Sequence, residues 1–284
     1  MISNYETNLM SSLLLYVNHE VIRKGQAFTN NSGLFYDVSD PYNNIHTHAL
    51  PFQPLIADKS IKGPIIMTGV FLNNSLLFTG SSGFYDINFS RSQVFFTNPI
   101  TGILSGEYSV ADFNVELTNQ PEETLLFETK FNLKSKVPIS LSGVEPGSLT
   151  YPVIYLRNNG GNNEGFAFGG TDLTKTFVRA VILTDSQFSL DATLGIFKDL
   201  KNTPVALIPN NEFPYNAFGG LRSGVYHYDN LVSGHLANNN TAWIDDVNVA
   251  KYNLNLKTEV NVLSKEVFAG FVDLDLSTLR TPRA

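Results

Sequence analysis

Cysteine is absent from the 284 residues, which removes disulfide staples, thiolate metal sites and cysteine nucleophiles together. That gap agrees with assembly in a reducing cytoplasm. Charge is scarce as well: Asp, Glu, Lys and Arg make up 16% of the chain, against about a quarter in an ordinary globular protein. The net charge of −7 comes without a basic block, so direct binding of nucleic acid is not expected. No apolar run approaches the roughly 20 residues that span a bilayer. The longest candidate, Leu13-Leu14-Leu15-Tyr16-Val17, breaks at Asn18-His19-Glu20. The first residues offer neither a basic stretch nor a small-residue cleavage site, so no signal peptide is expected.

Asparagine fills the room that charge leaves. Thirty occur, with clusters at Asn30-Asn31, Asn73-Asn74, Asn158-Asn159, Asn162-Asn163 and Asn238-Asn239-Asn240. An amide costs less to desolvate than a carboxylate or an ammonium, so such a surface suits a protein covered by neighbours. An AT-rich coding sequence would enrich asparagine equally well. Hydrophobic residues reach 43%, enough for a sizeable core, and aromatics 12%, with 21 Phe, 12 Tyr and the single Trp243.

Periodicity predicts a mainly β (α+β) fold, a sandwich or barrel-like set of strands with two helices. Residues 4–23 read as an amphipathic helix with Leu9, Leu13, Tyr16, Val17 and Ile22 on one face, capped by Ser3 or Asn4 and stopped by Gly25. Strands follow at Gly33–Asp37, then as a hairpin from Pro64–Leu72 to Ser75–Thr79 through Asn73-Asn74, a pair that tolerates positive φ. A second hairpin joins Gly83–Phe89 to Gln93–Phe96. Val110–Leu117 and Thr124–Phe131 read as two more strands. The Gly, Pro and Asn-rich stretch from Pro138 to Thr174 reads as a long loop, interrupted by the strand Val153–Leu156. Thr176–Leu183 is a buried strand, and Asp185 or Ser186 caps a helix near 186–201. Val225–Tyr228, Ala242–Val260 and Val267–Leu276 complete the strands. The divisions expected are an N-terminal helix (1–24), a β-rich half (25–137) and a second β-rich half (138–284), which also fit one continuous domain.

Chemistry is thinly provided for. His46 and His48 could share a strand side, with His19 as a third imidazole, but no carboxylate stands at a ligand spacing and no H-E-x-x-H element exists. His227, Asp229 and His235 lack the G-x-S-x-G serine of a hydrolase. Asp245-Asp246 and the pair Asp273/Asp275, about 6–7 Å apart on one strand face, resemble glycosidase carboxylates only in spacing. Gly160-Gly161 and Gly169-Gly170 lack the helix and lysine of a phosphate cradle. No catalytic, cofactor or metal residue is expected, and no enzyme activity.

The segments Gly25–Asn30, Gly106–Asn119 and Asp185–Asp191, in this order behind an N-terminal helix, resemble virion structural proteins of tailed bacteriophages, the neck, tail and baseplate class. The resemblance implies a particle component assembled in the bacterial cytoplasm, bound to other virion proteins and repeated around a symmetry axis as a homo-oligomer. It carries no catalytic residue. Expected contact residues are Leu9, Leu13 and Tyr16 on the first helix, Asn159, Phe166 and Phe168 in the Asn158–Gly170 stretch, and Phe213, Tyr215 and Phe218 in Phe213–Gly220. The alternative is a receptor- or carbohydrate-binding β module of a phage tail, served by an exposed aromatic.

Overall fold

The computed structural model describes residues 5–38, 45–52, 54–81, 83–128, 152–167, 170–252 and 267–280. The fold is mainly β: several sheets, a curled half-barrel among them, with an N-terminal helix. Helix α1 (Tyr5–Gly25) ends where Gln26 takes a positive φ of 47°. Its buried residues do not form a single stripe. Leu9, Leu13, Leu15, Tyr16, Val17, Val21 and Ile22 are all enclosed, and a helix apolar most of the way round belongs inside. The buried Ser12 hydroxyl accepts a hydrogen bond from the backbone N–H of Ile208 at 2.8 Å. The capping residues expected at 3 and 4 lie outside the described residues.

Eight strands follow: β1 (Phe28–Leu34), β2 (Tyr36–Asp37), β3 (His46–Ala49), β4 (Gly69–Leu72), β5 (Ser75–Phe78), β6 (Phe84–Asn88), β7 (Gln93–Phe96) and β8 (Leu104–Ala111). They form two four-stranded sheets, ordered β1-β8-β4-β5 and β2-β3-β7-β6. Both expected hairpins are present, and Asn73 and Asn74 carry φ of 48° and 67°. The expected strand Val110–Leu117 is two pieces in two sheets. β8 ends at Ala111, the chain turns, and β9 (Asn114–Leu117) joins the edge of the third sheet.

That third sheet has six strands, ordered β12-β13-β14-β11-β10-β9. Its other members are β10 (Val153–Ala167), β11 (Thr171–Thr184), β12 (Thr203–Ala206), β13 (Thr241–Lys251) and β14 (Phe268–Arg280). Alternation sends Ile154, Leu156, Val178, Ala180, Ile182, Val272 and Leu274 to an inner face against α1 and α3 (Gln187–Lys198). Of the two expected caps, Asp185 and Ser186, it is Ser186 that caps α3, accepting from the N–H of Ser189. Gly270 lets α3 approach, since a Cβ there would sit 2.9 Å from Leu190. The opposite face carries Val153, Tyr155, Val181, Leu183 and Ala269 under Leu125 and Leu126 of α2 (Glu122–Glu128). One core cluster runs from Leu9 to Leu276 and draws on all three sheets.

Three expectations fail here for physical reasons. Thr124–Phe131 is not a strand in its described part but helix α2, because Pro121 and the acidic pair Glu122-Glu123 suit a helix start. Val225–Tyr228 is not a strand: Tyr228 opens helix α4 (Tyr228–Ala237), whose cap is His227 accepting from the N–H of Asn230. The described part of the supposed loop 152–174 is a long β-hairpin, since β11 is paired along its length and its partner is drawn into register. Tertiary pairing outweighs the poor strand propensity of Asn and Gly. Residues 138–151 of that stretch lie outside the described residues, as does the distal part of Ala242–Val260.

Candidate contact surfaces

The most concentrated polar chemistry is buried. His19 of α1 donates from Nδ1 to Asp58 Oδ2 at 2.7 Å, and its ring stacks on Tyr228 with centroids 4.4 Å apart. Asp58 Oδ1 accepts from the Ser60 hydroxyl at 2.6 Å and from the backbone N–H groups of Ser60 and Tyr228, both at 2.9 Å. Burial works to raise the Asp58 pKa, but the hydrogen bonds from His19, Ser60 and Tyr228 outweigh it and hold the carboxyl below its ordinary range. A nucleophilic relay needs serine and carboxylate on opposite nitrogens of the imidazole. Here both address Nδ1, with Ser60 Oγ at 3.4 Å, while Nε2 looks toward Asp229 at 3.8 Å and Glu20 at 4.0 Å. The His19 and Asp58 side chains are each 4% exposed. The cluster is a clasp that joins α1, the 55–60 segment and the start of α4. Nothing in the spacing of these residues along the chain pointed to it; the lone Asp58 closing the apolar run Leu55-Ile56-Ala57 was the available signal.

Of the other expected polar groups the histidines lie apart, while Asp246 of β13 and Asp275 of β14 stand opposite each other, with Asp273 two residues along β14. His46 and His48 lie on β3, where His48 packs edge-on to Phe96. His235 donates to Glu212 at 3.0 Å on the far end of α4 from His227. Asp273 is held by Arg179, whose Nε and Nη2 reach its two oxygens at 2.6 and 2.7 Å while Nη1 reaches Glu122 at 2.6 Å, fastening α2 to the sheet. Asp246 pairs with Lys201 at 2.7 Å. Asp275 is raised above the ordinary range, by partial burial first and then by the charges of Asp246, Asp273 and Asp245. Among the described residues no group of three or more His, Cys, Asp or Glu could hold a metal ion. No helix among them is long and apolar enough to cross a membrane.

The expected contact residues separate sharply. Leu9, Leu13 and Tyr16 are within the chain's own core, so that face of α1 docks at home and not on a neighbour. Phe213 and Tyr215 are half-buried against the same core, and burial pushes the Tyr215 phenol well up. Phe218 is exposed and meets the exposed Tyr85 edge-on at 5.9 Å. Its loop is tied by one side chain: the Asn216 amide nitrogen donates to Asp86 at 2.8 Å, and Asn216 Oδ1 accepts from the N–H groups of Phe218 and Gly220. Asn159 is exposed on the β10–β11 hairpin. Phe166 belongs to β10 by its backbone, and Phe168 lies outside the described residues.

Sequence reasoning missed one exposed apolar face. Register aligns Leu34, Ser105, Phe71 and Leu76 in one row across β1-β8-β4-β5, with Ile103 and Phe78 beside it. Leu34, Ile103 and Phe78 are 63%, 65% and 55% exposed, and such a contiguous patch marks a contact site more often than a scattered residue does. A cleft of about 350 Å³ lies where β9 stops beside β10, between Glu6, Ser11, Thr118 and Asn158. Compared with known proteins, the chain matches no family model and no curated protein.

Proposed function

We propose that this chain is a structural subunit of a tailed-bacteriophage particle, in the neck, tail or baseplate, that works by contact and without catalysis. The phage assignment rests on the resemblance of Gly25–Asn30, Gly106–Asn119 and Asp185–Asp191. The contact mode rests on one observation: the His19–Asp58 and Arg179–Asp273 groups are held in structural clasps, while the exposed chain offers the Leu34–Phe71–Leu76 face and the Phe218–Tyr85 pair. In this reading the protein assembles in the host cytoplasm, in several copies, against other virion proteins. Mass spectrometry of purified particles from the producing culture is expected to detect it at stoichiometric copy number. Its absence from intact particles would overturn the reading.

The second reading, a receptor- or glycan-binding module, is favoured by Phe218 and Tyr85 standing beside Asp86 and Asn216. Exposed aromatic faces next to amide and carboxylate groups are suited to sugar rings. A glycan array probed with the isolated chain decides between them. Binding that Phe218→Ala abolishes would favour the module, and none is expected for the subunit.

A further inference from the structure

Among the described residues, a strand neighbour covers only the first part of the outer edge of β10. β9 runs beside β10 only from Val153 to Leu156, with a last bond from the Thr118 N–H to the Leu156 carbonyl at 3.0 Å. Among the described residues no strand pairs the outer edge of β10 beyond Leu156; Arg157 and Asn158 are half-buried, with the Asn158 amide donating to Glu6 at 2.8 Å, and residues 159–165 are exposed. A strand edge without a neighbouring strand is a template for another, and here one backbone donor is already engaged, the Gly160 N–H, which Asn158 Oδ1 accepts from at 2.7 Å where Gly160 takes a positive φ of 92°. The sequence of the edge says which strand. Arg157-Asn158-Asn159-Gly160-Gly161-Asn162-Asn163-Glu164 reads the same from either end, except that the terminal charges are opposite. An antiparallel copy centred between Gly160 and Gly161 sets Asn against Asn and each Arg157 against a Glu164.

The facing of the side chains fits that register. Directly opposed residues in an antiparallel pair lie on one face of the sheet. A two-fold axis falling between two residues breaks this rule in a regular strand, because neighbours point to opposite faces. β10 is not regular here. Asn158 pairs with Val178 and Gly161 with Thr176, so β10 carries one extra residue between them. That bulge puts Arg157, opposite Arg179, and Glu164, opposite Leu173, on the same face of the sheet. Glycines at the centre let two backbones approach. The charges supply the register that an Asn/Gly strand otherwise leaves loose.

We propose that two copies of this chain pair edge to edge through residues 157–164 of β10, continuing the six-stranded sheet across a two-fold axis. The pairing is about 26 Å long at ~3.3 Å per residue, and it abuts the place where β9 ends beside Leu156. It rests on the subunit reading above and names one partner of that surface as a second copy.

Sedimentation velocity of the full chain over a hundredfold concentration range tests it, with near-UV circular dichroism to confirm folding. The wild type is expected to dimerise. Arg157→Glu, which sets four carboxylates in two facing pairs, and Glu164→Arg, which sets four guanidinium groups likewise, are each expected to weaken the dimer by about tenfold or more. An equimolar mixture of the two variants restores both Arg–Glu pairs and is expected to form heterodimers. A wild type that stays monomeric overturns the pairing, as does a mixture no tighter than its components. If the wild type is oligomeric and both single variants match it, the contact lies elsewhere and the pairing falls while the subunit reading stands.

Discussion

Asp58 ties three parts of the molecule through one carboxylate, and its loss should be felt out of proportion to its size. Asp58→Asn keeps the shape but removes the charge that His19, Ser60 and the start of α4 converge on. Weakening such a buried charge-assisted set is expected to cost about 2–4 kcal/mol, read from urea denaturation at pH 7. The pH dependence follows from the direction of the shift. A carboxyl held below its ordinary value of 3.8 contributes in full above that value and loses its contribution as pH falls through the lowered one. The wild type should therefore shed stability below about pH 4, and Asp58→Asn should show a flatter acid limb. Equal acid limbs for the two proteins would contradict the clasp.

Helix α1 is the element whose role changed most between pattern and fold. Its face of Leu9, Leu13 and Tyr16 suits docking on a neighbour as readily as on its own domain. In the fold it lies between the inner face of the six-stranded sheet, α3 and the 55–60 segment. Leu13→Ala is thus expected to destabilise the isolated chain by about 2–5 kcal/mol, measured by chemical denaturation. A neutral result would return the helix to the role of an external dock. The β10–β11 hairpin moved the other way: its Asn and Gly residues read as loop, and sheet pairing made it an arm.

Across the whole molecule, the passage from β8 to β9 binds the two expected halves together. β9 comes from the first half yet pairs in parallel with β10 of the second, and the main core cluster spans both. Urea unfolding is expected to be one transition, with Trp243 fluorescence and far-UV circular dichroism coinciding. Two separated midpoints would show halves that fold on their own.

What was legible beforehand follows the same division. The Asn73-Asn74 hairpin, the hairpin joining Gly83–Phe89 to Gln93–Phe96 and the Ser186 cap were readable because each depends on backbone angles and bonds within a few residues. The mainly β class was readable because alternation repeats along many short segments. The exposed Phe218–Tyr85 ring contact was not readable, because the two rings are distant along the chain. Helices α2 and α4 were misread because Leu125-Leu126 and Tyr226–Tyr228 are too short for their period to separate helix from strand.

Local rules thus accounted for the strand-rich class, the turns and the scarcity of catalytic motifs from the order of residues alone. Folding in three dimensions settled which faces are covered: α1 sealed inside, the Leu34–Phe71–Leu76 row left outside, His19 locked onto Asp58, and an Asn/Gly run drawn out as a strand. Those outcomes turn on burial and pairing between residues tens to hundreds of positions apart, and no short window of sequence contains that free energy.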